Sequence, residues 1–88
     1  MTNTTRTEQA EMIAAALTAA GRGWTARAWE GDGPAESRQV RVYVSEGLAR
    51  RTKECGYIEI LADGALNLNP ITNGPKAAMR ELAKRAIG

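Results

Sequence analysis

The residues able to do chemistry here are twelve lysines and arginines, ten carboxylates, two tryptophans, two tyrosines and one cysteine, with no histidine in 88 residues. Without histidine the commonest general base and the commonest metal ligand are both absent. Cys55 has no imidazole to take its proton, so it reads as a small buried hydrophobe rather than a nucleophile. The Asp and Glu residues fall without DxD or ExxH spacing. Gly21-Arg22-Gly23 lacks the third glycine and the preceding strand of a dinucleotide loop. These absences lead to the expectation of a non-enzyme with no catalytic residue, metal or cofactor.

What remains is chemistry of contact. Tryptophan, tyrosine and arginine combine large rigid area with polar handles, which is why they dominate binding hot spots. On an open sheet the same residues can stack single-stranded RNA. The cations fall unevenly: residues 1–37 hold three against five carboxylates, and Arg38 onward holds nine against five, for a net +2. Lys76, Arg80 and Lys84 recur at i, i+4, i+8, a cationic ridge on one side of a helix, and Arg50-Arg51-Thr52-Lys53 is a second basic cluster. Both could neutralise phosphates.

The elements that must position these groups follow from periodicity. Thr5-Arg6-Thr7-Glu8 fits a capping box, and Ala10, Ile13, Ala14, Leu17 and Ala20 form the buried stripe of a helix that Gly21 and Gly23 close. Trp24 to Glu30 alternates as a strand, with Trp24, Ala26 and Ala28 on one face and Thr25, Arg27 and Trp29 on the other. Arg38 to Val44 repeats the pattern, Val40, Val42 and Val44 opposing Gln39, Arg41 and Tyr43. Ser45 to Cys55 reads as a loop with some helical character. Tyr57–Leu61 and Ala65–Asn69 form a hairpin. A two-residue Asp-Gly turn would mix apolar and polar faces, whereas a three-residue loop, Ala62-Asp63-Gly64, pairs Ile60 with Leu66 and Ile58 with Leu68 and keeps one face apolar. That loop needs Gly64 left-handed. Pro75 at the first helical position starts a last helix with a stripe of Ala78, Met79, Leu82, Ala83 and Ala86.

The order predicts an α+β two-layer sandwich: an antiparallel sheet of three to four strands with the N- and C-terminal helices on one face. The opposite face, carrying Arg27, Trp29, Gln39, Arg41, Tyr43, Tyr57, Glu59, Leu61 and Asn67, stays open to solvent or a partner. Eighty-eight residues of ordinary globular composition, 43% hydrophobic and 25% charged, suit one domain, residues 1–4 being polar and frayed. The start lacks a signal peptide's basic-then-apolar pattern, no run could span a membrane, and a single cysteine forms no internal disulfide, so the expected home is the cytoplasm.

The helix–strands–helix order resembles the double-stranded RNA-binding domain, whose last helix presents basic residues at its start. Here that segment is Gly74-Pro75-Lys76-Ala77-Ala78, with one lysine, beside an extra strand and an aromatic face that depart from the family. In format, across the whole chain, it resembles the small stand-alone proteins of phages and mobile elements, including anti-CRISPR proteins. That likeness implies an inhibitor that occludes a surface of a larger nucleoprotein, and the mildly basic balance implies blocking by protein contact rather than DNA mimicry. The expectation is a binding protein that docks Arg27, Trp29, Arg41, Tyr43 and Tyr57, with the basic groups Arg50, Arg51, Lys53, Lys76, Arg80 and Lys84, on a larger protein or nucleoprotein. The alternatives are a nucleic-acid-binding module and a structural homodimer.

Overall fold

In a computed structural model, which describes residues 5–34, 38–47, 53–69 and 73–88, the chain runs α1 (Arg6–Ala19), β1 (Trp24–Glu30), β2 (Val40–Glu46), β3 (Lys53–Ile60), β4 (Leu66–Asn69), α2 (Asn73–Ile87). The four strands form an antiparallel meander in the order β1-β2-β3-β4. The α+β sandwich expected from the sequence is the architecture observed.

Local chemistry explains most of the boundaries. Thr5 caps α1, its hydroxyl accepting from the Glu8 N–H at 3.1 Å while the Glu8 carboxylate accepts from the Thr5 N–H at 3.2 Å. Gly21 and Gly23 both adopt positive φ after the Ala20 C-cap, which lets the chain reverse into β1. The hairpin loop is the three-residue form: Ile60 faces Leu66, Ile58 faces Leu68, the Leu61 N–H donates to the Ala65 carbonyl at 2.8 Å, and Gly64 has φ +89°.

Several boundaries differ from expectation. β2 starts at Val40 and runs on through Glu46, and β3 begins at Lys53, so both ends of the segment read as a loop are strand; residues 48–52 of that segment lie outside the described residues. A bulge hid this. Val44 faces Gly56 but Ser45 faces Glu54, so Cys55 is the extra residue, and Gly56 takes φ +139°. The slip turns Cys55 toward the core, where it packs half-buried, and it scrambles the alternation that marks a strand. Finally, α2 begins at Asn73, which puts Pro75 third rather than first, still within the turn whose N–H groups have no helical acceptor.

Both helices cover one face. α1 lies on β1 and β2, and α2 packs between α1 and β4. The enclosed core is Ala10, Ile13, Ala14, Leu17, Trp24, Val40, Val42, Val44, Ile58, Ile60, Leu68, Met79 and Ala83, with Ala26, Ala28, Leu66 and Leu82 among the half-buried residues around it. Among the described residues no polar side chain is buried, so the layer between helices and sheet is filled by apolar packing. No helix is long and apolar enough to cross a membrane.

Candidate functional site

Register decides what meets on the open face. The Gly31 N–H donates to the Gln39 carbonyl and the Gly47 N–H to that of Gly23, so the odd-numbered residues of β1 and β2 exchange backbone bonds. On the β3 side of β2, Arg41 opposite Glu59 and Tyr43 opposite Tyr57 are therefore non-hydrogen-bonded pairs, the arrangement in which facing side chains come closest.

The consequence is a cluster rather than a row of independent groups. Trp29 meets Tyr43 diagonally, ring centroids 5.9 Å apart at 82°, edge to face. Tyr43 meets Tyr57 at 5.5 Å and 54°. The Arg41 guanidinium lies 4.3 Å from the Tyr57 ring centroid and 5.6 Å from that of Trp29. It donates to the Tyr43 hydroxyl oxygen at 3.1 Å and to the Glu59 carboxylate at 3.3 Å. The Tyr43 hydroxyl and the neighbouring Tyr57 and Glu59 oxygens hold its pKa above the ordinary arginine value, so the charge is permanent. Arg41 and Glu59 are about one-fifth exposed, 20% and 21%. A cation this enclosed by its own carboxylate and rings works mainly as the cluster's internal tie.

The rest of the face is polar and nearly neutral. Arg27 is exposed and makes no ion pair or hydrogen bond among the described residues, and with Thr25, Tyr43 and Ser45 it lines a shallow depression of about 230 Å³. Trp29 is 41% exposed and stands at the edge of the face. Gln39 and Leu61 lie just beyond the strand ends. Beside the edge, the Glu30 carboxylate accepts from the Thr7 hydroxyl at 2.9 Å and from Arg38 at 3.1 Å, and these bonds, Thr7's first, hold its pKa below the ordinary glutamate value.

The sequence-derived site divides accordingly. Arg27, Trp29, Arg41, Tyr43 and Tyr57 share the open face. Lys76, Arg80 and Lys84 lie on α2, across the sheet from it. Arg50, Arg51 and the Lys53 side chain lie outside the described residues. Glu59 is the member of the cluster whose role the sequence did not give: a carboxylate two residues from Tyr57 was visible, but its partner depended on register. Among the described residues no group of three or more His, Cys, Asp or Glu side chains could hold a metal ion. In comparisons with known families, curated proteins and solved structures, the chain matches none.

Proposed function

We propose that this chain is a non-enzymatic binding protein that docks the open face of its sheet on a larger protein. The observation that carries this reading is the contiguous Trp29–Tyr43–Tyr57 cluster on an uncovered face whose central cation is already answered by Glu59. Rigid aromatic area with polar tips and little net charge suits a protein surface, because a polyanion would demand unneutralised cations. The format shared with anti-CRISPR proteins gives the proposal its most specific form, a phage or mobile-element inhibitor that occludes a surface of a larger nucleoprotein in the cytoplasm.

The test is paired capture from a lysate with the wild type and with Trp29→Ala and Tyr43→Ala, each first shown folded by circular dichroism. A bound protein that both variants lose supports the reading. A hot-spot loss of about 2 kcal/mol corresponds to roughly thirtyfold weaker binding. Partners that bind all three proteins equally overturn it. The inhibitor form is checked by adding the protein to purified CRISPR effectors and measuring target binding; no effector inhibited refutes that form alone.

A further inference from the structure

The helix layer carries a different kind of surface. Within α2 there are four cations, Lys76, Arg80, Lys84 and Arg85, and one carboxylate, Glu81. The whole chain has twelve against ten, so everything outside α2 carries eight against nine. The net positive charge of the protein thus belongs to this one helix.

Its partners are accounted for. Glu81 is engaged by Arg85 at 3.0 Å, one turn on. Lys76, Arg80 and Lys84 make no ion pair or hydrogen bond among the described residues, and Arg80 and Lys84 are exposed. At four-residue intervals and about 1.5 Å per residue, successive cations are about 6 Å apart along the axis and sweep only part of the circumference. Arg80, Lys84, Arg85, Glu81 and Ala77 line an open depression of about 390 Å³. The large apolar residues Met79, Leu82 and Ile87 pack inward on the core.

We infer that the outer surface of α2 binds the phosphodiester backbone of nucleic acid, without reading its sequence. Unneutralised cations in a line match a line of phosphates. From Lys76 onward the helix has no Asn, Gln or aromatic residue with which to read base edges or stack on bases, so its contacts position without specifying. An anionic membrane would call for large apolar side chains beside the cations, and α2 turns its own inward. An acidic protein surface would call for an aromatic or aliphatic anchor, which the outer face also lacks. This surface lies on the opposite layer from the open sheet face and does not depend on it.

The test is fluorescence anisotropy with a labelled mixed-sequence DNA duplex, titrated at several salt concentrations. Three phosphate contacts give a slope of log K against log salt of about −2.7, or about a fortyfold loss between roughly 50 and 200 mM. Arg80→Ala with Lys84→Ala, both exposed positions, leaves one contact and reduces that loss to about three- to fourfold, with the circular dichroism spectrum unchanged. Arg80→Lys keeps the slope, since phosphate accepts either point charge. A second, unrelated duplex binds equally well. Absent binding at low salt, a slope untouched by the double variant, or binding to phosphatidylserine vesicles or polyglutamate in place of duplex overturns the inference.

Discussion

Replacing Thr18 with valine isolates a device that the sheet uses at its open edge. β1 is an edge strand, and because its odd-numbered residues bond to β2, the N–H and C=O groups of Trp24, Ala26, Ala28 and Glu30 point outward. Such an edge invites pairing with another chain. At its middle the Thr18 hydroxyl, from α1, accepts from the Ala26 N–H at 3.1 Å and lies 3.4 Å from the Ala26 carbonyl as donor. A helix side chain thus occupies the position a further strand would take. Valine has the same shape and nearly the same helix propensity, so those terms cancel and only the hydroxyl is removed. One well-formed bond is worth about 0.5–1.5 kcal/mol net, and the 3.4 Å contact adds little, so the loss should be about 1 kcal/mol. For a domain of this size that lowers the Tm by about 4–8 °C. The sharper assay is amide hydrogen exchange. The Ala26 amide should be protected in the wild type and in Thr18→Ser, and fast in Thr18→Val. The Ala28 amide, which no side chain among the described residues reaches, should be fast in all three. An Ala26 amide equally protected in the valine variant would refute the reasoning, as would a serine variant that behaves like valine.

Two other predictions bear on the turns and the edge. Gly64→Ala should cost about 1–2 kcal/mol, because a Cβ at φ +89° is strained although nothing lies within 4 Å of it, and urea unfolding at constant m will show the loss. The Glu30 carboxylate has its pKa depressed by folding, so it contributes stability that is fully present above its unfolded value and lost as pH falls through the lower folded value. Thr7→Val, which removes the largest of the interactions responsible, should flatten that acid limb of the stability curve; an unchanged limb would show that the bond is not maintained in solution.

How much the sequence revealed depended on whether a signal was local or needed register. The α1 cap was readable because Thr5 and Glu8 satisfy each other over three residues, and the hairpin loop because parity allows only one length that keeps Ile58, Ile60, Leu66 and Leu68 on one face. The start of β3 was not readable. A bulge at Cys55–Gly56 breaks the alternation, and basic, polar residues precede it, so a strand there has the pattern of a loop. Thr18 was equally silent, since on the helix wheel it is merely an exposed polar residue. Its partner lies eight residues away, on a strand edge defined only by which residues β1 pairs with.

Arg41 shows why this distinction matters for function. Its place on the open face follows from alternation with Val40 and Val42, and by type it is a candidate for contact with a partner. What it can offer depends on Glu59, which the antiparallel pairing sets directly opposite, and on Tyr43 and Tyr57 closing around the guanidinium. An arginine free to reach a phosphate and an arginine fixed to its neighbours are the same letter in the sequence. Once the cation is committed, Arg27 is the cation of the open face left without a partner among the described residues, and the aromatic rings become the dominant feature of that face. The basic residues of α2 move the other way. Their spacing already marked a ridge able to neutralise phosphates, and with Glu81 held by Arg85 and the rest of the chain slightly acidic, they place the net positive charge of the molecule on one exposed surface. The two candidate surfaces therefore differ in chemistry as well as position: a neutral aromatic one made by strand pairing, and a cationic one made by helix periodicity.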